Sequence, residues 1–107
     1  MDYKVTGSDH DGVTQISLEA LESYSDRVLE NVLLKPDGET VFIFKDHTAY
    51  SATGFSYGYG GEGPRGLHKA IRMFSDSIDS DFNNTAIEML PRDKYWIWNP
   101  QRGFIHR

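Results

Sequence analysis

A chain of 107 residues has room for one hydrophobic core, and 38% hydrophobic with 25% charged residues is the balance of a folded domain rather than a disordered segment. A formal net charge of -5 argues against a nucleic-acid polymer as partner, and the lack of cysteine removes disulfides, thiolate catalysis and Cys-based zinc sites. The start "MDYKVTGSDHDG" has no signal-peptide pattern and nowhere do about 18 apolar residues follow one another, so no membrane is expected and the reading is a cytoplasmic protein.

Met1 to Gly12 reads as a polar arm with a brief strand over Tyr3 to Thr6. Its "DHD", Asp9 to Asp11, reads as a solvated turn, because three adjacent ligands cannot all face one metal ion on regular structure. From Ser17, as N-cap, helical spacing runs through Leu18, Leu21, Tyr24 or Ser25, Val28 and Leu29, and Val32, which predicts a first helix. "KPDGE" is a turn, "TVFIFKDH" a buried strand, and "TAYSATGFSYG" a candidate hairpin partner. Pro64 suits the first residue of a second helix, with Leu67, Ala70, Ile71, Phe74 and Ile78 on one face and Arg65, Lys69 and Arg72 on the other. "SDSIDSDFNN", with Asp76, Asp79, Ser80 and Asp81, reads as a stop signal and solvated surface; "TAIEML" fits a short helix or a strand. "KYWIWNPQRGFIHR" reads as a hairpin. The fold class expected is α+β: one domain over residues 1–107, a small antiparallel sheet with about two helices.

The stretch "GFSYGYGGEGPRGLHKAIRMF" has six glycines, five of them with three aromatics in front of that second helix and Gly66 within it. A glycine-rich turn feeding a helix start can hold a phosphate, since backbone N-H groups converge and the helix dipole adds partial positive charge. The expected donors lie at Gly58, Gly60, Gly61 and Gly63, with Arg65 adding a charge-assisted bond and Lys69 behind it. Pro64 deletes one donor and Glu62 sets a negative charge beside the phosphate. Phe55, Tyr57 and Tyr59 alternate at strand spacing and so are expected on one face as a stacking surface; Trp96 and Trp98 form a second such pair or belong to the core. Gly58, Gly60 and Gly63 satisfy G-x-G-x-x-G, but the chain left after them is too short for repeated βαβ units, and no Lys-Ser or Lys-Thr follows for a phosphate-binding P-loop. The bland alternative is that the glycines only let backbones pack closely. Charge is uneven: Met1 to Gly61 has four Lys/Arg against ten Asp/Glu, whereas Glu62 to Arg107 has seven against six, so a small anion should prefer the second half.

Over about a fifth of the chain this run resembles the "GF-x-W-G-Y-G-G-x-G-P-x-x-L" signature of small uncharacterised phage and microbial proteins, with Ser56 standing where the signature has an aromatic. Size and ligand logic add a similarity to phage anti-defence sponges of the Thoeris anti-defence type. That resemblance implies sequestration, in the host cytoplasm, of a cyclic ADP-ribose-type or cyclic oligonucleotide signal, with the loop Gly58 to Gly66 meeting the ligand. No catalytic residue, metal or cofactor is expected, and a homo-oligomer is, because a small domain encloses a ligand most easily between subunits. Two alternatives stay open. One is a protein-protein inhibitor or accessory protein with a structural glycine loop; the other is a small nucleotide hydrolase using His47, oriented by Asp46, or His68 as base.

Overall fold

The computed structural model describes residues 2–75 and 84–106, with the backbone alone at Asn84 and Thr85. Its centre is the strand β3 (Thr40–Phe44), all five residues of which are buried. Apolar side chains on both faces are what a strand covered on both sides requires. Around it lie β1 (Lys4–Ser8), β2 (Leu29–Leu34), β4 (Thr48–Ala52), β5 (Trp96–Asn99) and β6 (Gly103–His106). They form one six-stranded sheet in the order β1-β4-β3-β2-β5-β6, antiparallel throughout except for β1, which runs parallel to β4. The helices are α1 (Thr14–Glu22), α2 (Glu62–Phe74) and the short α3 (Asn84–Glu88). The architecture is the α+β one expected, with two long helices and the short α3 among the described residues.

The two turns that flank β3 have local chemistry. In the β2–β3 turn Gly38 takes φ 97, and the Asp37 carboxylate accepts from Glu39 N at 3.0 Å. In the β3–β4 turn Asp46 accepts from Thr48 N at 3.0 Å, and His47 N donates to Phe44 O at 3.0 Å. His47 sits at φ 71, in the left-handed region, without being glycine.

The first helix differs from its expectation. It starts at Thr14 and stops at Glu22; a turn follows, closed by Tyr24 N to Leu21 O at 2.9 Å and Arg27 N to Tyr24 O at 2.9 Å. Leu29–Leu34 then forms β2, paired with both β3 and β5. Helical spacing and a strand buried on both faces leave similar apolar marks here. Pairing with a strand on either side decides the matter, a tertiary effect that overrides local pattern. Ser17 is accordingly no N-cap but a buried residue inside the helix. The second helix begins two residues before Pro64, still within the first turn, where proline costs no hydrogen bond.

Both long helices cover one face of the sheet. Leu21 of α1 and Leu67, Ala70 and Ile71 of α2 meet Val32, Leu34, Phe42, Phe44, Ala52 and Trp98 in the main core. Aromatic contacts stitch it: Phe44 stacks on Tyr24 at 5.3 Å and meets Phe74 edge-on at 5.2 Å. On the other face Leu33, Val41, Ile43 and Ala49 form a smaller cluster, with Tyr3, Tyr95 and Ile97 packed against it. "TAIEML" contributes α3, and the carboxy-terminal hairpin forms as expected. Ile78 and the acids Asp76, Asp79 and Asp81 with Ser80 lie outside the described residues. Among the described residues no helix is long and apolar enough to cross a membrane.

The parallel pair positions the site. β1 and β4 are neighbours pointing the same way, and each is followed by a long helix. Both helices therefore begin at the same end of the sheet.

Candidate functional site

That shared end is organised by Asp9, at the exit of β1 and only 8% exposed. Its Oδ1 accepts from Thr53 N at 3.0 Å and Thr53 Oγ1 at 2.6 Å; its Oδ2 accepts from Ser17 Oγ and Tyr50 OH, each at 2.8 Å. Ser17 Oγ in turn accepts from Gly54 N at 3.0 Å, and Thr14 Oγ1 donates to Gly54 O at 2.6 Å. The expectation of a solvated "DHD" turn is thus corrected at Asp9: one carboxylate ties β1, α1 and the exit of β4 together. Burial pushes its pKa up, but the hydrogen bonds from Thr53, Tyr50 and Ser17 outweigh that and hold it below the ordinary 3.8. Burial and the bond to Asp9 push the Tyr50 hydroxyl well above its usual range.

Above this clamp opens a cleft of about 450 Å³. Gly12, Val13 and Thr14 from the start of α1 form one wall, Glu62 and Gly63 from the start of α2 the other, and Thr53 to Ser56 with Tyr59 the floor and rim. Neither helix has a side-chain hydrogen bond at its N-cap, Val13 and Gly61 respectively. First-turn residues of both helices, Thr14 of α1 with Glu62 and Gly63 of α2, thus border one cavity, while Pro64 contributes no N-H. The carboxylate of Glu62 in the same wall makes the field mixed rather than purely positive.

The expected stacking surface does not exist. The segment after β4 is not a strand, so alternation does not sort its side chains. Phe55 is 3% exposed and packs edge-on against Phe42 at 5.6 Å; Tyr57 is buried and donates its hydroxyl to Lys94 O at 2.6 Å. Tyr59 alone of the three is exposed, with its hydroxyl 2.8 Å from Ser56 Oγ and the Arg92 guanidinium 5.1 Å from its ring centre. Trp98 is core, and half-buried Trp96 donates its indole N-H to Pro91 O at 3.1 Å.

The loop glycines divide into two kinds. Gly58 has φ 86, its N-H donates to Ile87 O at 3.0 Å, and a side chain there would strike Leu90 O and the Arg92 stem. Gly63 backs onto Ser56, so both are required by internal packing. A side chain at Gly60 would find nothing nearer than Glu88 at 3.6 Å. One at Gly61, on extended backbone at φ 167, would meet only the movable ring of Tyr59, at 3.0 Å. The fold does not demand glycine at either position.

Arg65 and Lys69 are exposed on α2 and border a neighbouring groove with Gln15, Leu18, Glu62 and Gly66. Arg65 therefore lies beyond Glu62 rather than across the glycine loop as expected. Neither cation has an ion pair among the described residues, where Arg27–Asp46 and Lys35–Glu39 are the pairs formed. His47 lies at the entry of β4, the opposite end from the cleft, and Asp46 bonds Thr48 rather than orienting it. This removes His47 as a base beside the loop. Among the described residues no three His, Asp or Glu side chains are grouped to hold a metal.

Sequence reasoning missed Asp9, Ser17, Thr53 and Arg92. The first three meet only through the parallel β1–β4 pairing, for which no local pattern exists; Arg92 reaches the loop from about thirty residues away. Comparison with protein families, with curated proteins and with solved structures finds no match to this chain.

Proposed function

We propose that this protein captures a small phosphorylated nucleotide in the cleft between the starts of α1 and α2, without converting it. The observation behind this reading is the convergence of two helix N-termini, neither capped by a side chain, on one cavity of about 450 Å³. Gly60 and Gly61 are not lining residues themselves, but they join Tyr59 to Glu62, which are, and the fold leaves their backbone unshielded by side chains. Glu62 favours a ligand that brings donors as well as an anion, such as a nucleotide with its sugar hydroxyls, over bare phosphate. Capture without chemistry is supported by the hydroxyls around the cleft: Thr14 bonds a backbone carbonyl and Ser56 the Tyr59 hydroxyl, while the carboxylate that accepts from Thr53, Asp9, is made a weaker base by the hydrogen bonds that lower its pKa.

In its finer form this is the sponge role that the resemblance implies, in which a cyclic nucleotide signal is withheld from its receptor, with a second subunit closing the open cleft. A thermal-shift panel of cyclic nucleotides and ADP-ribose derivatives tests it. A ligand present at a hundred times its dissociation constant stabilises by about 2.7 kcal/mol. Heat release of intact ligand supports capture, altered ligand points to hydrolysis, and no shift with any member defeats the reading. A protein partner is the second reading, favoured by Val13 and Ile16, which expose 43% and 39% of their surface at the start of α1.

A further inference from the structure

Beyond Tyr59 lies a second, smaller cavity of about 180 Å³, which shares Phe55, Ser56 and Tyr59 with the cleft and is otherwise walled by Lys35, Pro36, Gly38, Thr40, Tyr57 and Arg92. Its wall holds two cations and no carboxylate. The cleft and the Arg65 groove both include Glu62, the hollow beside Asp9 includes Asp37 and Glu39, and the one between Val28 and Gln101 includes Glu30. In a chain of net charge -5, a cavity wall free of acids is a departure that asks for a reason.

Its cations are not equivalent. Lys35 is already bonded to Glu39 at 2.7 Å. Arg92 has no ion pair among the described residues; its stem lies against Gly58 and its guanidinium over the Tyr59 ring, which holds the fork in place while leaving its N-H donors free. Thr40 supplies a second, independent sign. It is 2% exposed, on the same sheet face as Phe42 and Phe44, and its hydroxyl has no hydrogen-bond partner among the described residues. The other buried polar side chains, Asp9, Thr14, Ser17 and Ser51, are all bonded. An unsatisfied hydroxyl buried in a cavity wall is costly unless something in the cavity accepts from it. Opposing these donors, Asp37 and Asp93 lie near enough to raise the Tyr57 pKa together with burial, which comes first, though neither is part of the wall.

We infer that this cavity is an oxyanion subsite, in which Arg92, the Thr40 hydroxyl and the Ser56–Tyr59 hydroxyl pair hold a phosphoryl or carboxylate group borne by a molecule lying in the adjoining cleft. It deepens the proposed function, on which its larger ligand rests: the anionic group sits behind Tyr59, and the glycine edge and Glu62 meet the remainder. Specificity then lies partly in Arg92 and Thr40, outside the glycine-rich run.

The test is an NMR titration of the full-length protein with inorganic phosphate, acetate, adenosine and AMP. Phosphate or acetate is expected to shift the Arg92 Nε-H and the amides of Lys35, Ser56 and Tyr59. Arg92→Gln should weaken this by at least about tenfold, as loss of a charge-assisted bond implies. Thr40→Val, which keeps the shape, should weaken it severalfold with the spectrum otherwise native, while Arg65→Gln changes nothing. Shifts that centre on Arg65 and Lys69, or none at all on the order of tens of millimolar, overturn the subsite. AMP binding equally well to wild type and Arg92→Gln overturns it too, while leaving the cleft reading standing. Phosphate held at Arg92 with AMP no tighter supports the subsite and defeats the nucleotide reading.

Discussion

Removing the Asp9 carboxylate should cost this protein a large share of its stability. In Asp9→Ala four donors at the head of the sheet, Thr53 N-H and Oγ1, Tyr50 OH and Ser17 Oγ, lose their shared acceptor. An unsatisfied buried donor costs about 1–3 kcal/mol, and Thr53, which borders the cleft, recovers part of this from water. A total of about 3–5 kcal/mol follows, against about 5–15 kcal/mol for a whole domain. Asp9→Asn keeps the shape and one acceptor oxygen but turns two donors toward Ser17 and Tyr50, so about 1.5–3 kcal/mol is expected. The two variants also differ from wild type in acid. Because the folded pKa of Asp9 lies below 3.8, its contribution is fully present above that value and is lost as pH falls through the folded pKa. Urea titrations at neutral and acid pH, read as midpoint and slope, measure both effects. A cost below about 1 kcal/mol for Asp9→Ala, with an acid limb unchanged in Asp9→Asn, would refute the assignment of the carboxylate as the clamp of this end.

Other perturbations separate the roles of single residues. His47→Gly should stabilise by up to about 1 kcal/mol, since a left-handed backbone costs a non-glycine residue about 1–2 kcal/mol and glycine returns part of that as unfolded-state entropy; a melting temperature that falls contradicts it. Gly58→Ala should destabilise by about 2–4 kcal/mol through positive φ and the clash with Leu90 O, whereas Gly61→Ala should stay within about 0.5 kcal/mol; denaturation of the two variants side by side decides. Gly61→Val should abolish nucleotide capture in calorimetry while the fold survives, and a variant that still binds removes that backbone from the site.

What the sequence revealed and what it hid divides by range. The β3 strand, the apolar face of α2 and the carboxy-terminal hairpin were legible because their cues are local: a β-branched aromatic run, Leu67 to Phe74 at helical spacing, and turn residues between Trp98 and Phe104. Leu29–Leu34 misled because its spacing suits a helix and only its neighbours in the sheet make it a strand. The candidate site was half legible. Glycine enrichment marked the loop, but whether each glycine served packing or openness depended on Leu90, Arg92 and Ser56, whose approach is set by the tertiary fold. For Phe55 and Tyr57 the alternation in sequence points to a surface, but the irregular backbone there does not follow it and both are buried.

The parallel pairing of β1 ties the amino-terminal segment to a distant part of the chain. Its partner in register, Thr48 opposite Lys4, is more than forty residues away, and loop closure over that distance precedes any contact that rewards it. One cleft wall, Gly12 to Thr14, arrives with the same segment. Occupancy of the cleft and docking of residues 2–14 are therefore linked equilibria: anything held between the two helix starts slows release of the amino-terminal strand, and hydrogen exchange along β1 reports on the cleft from outside it.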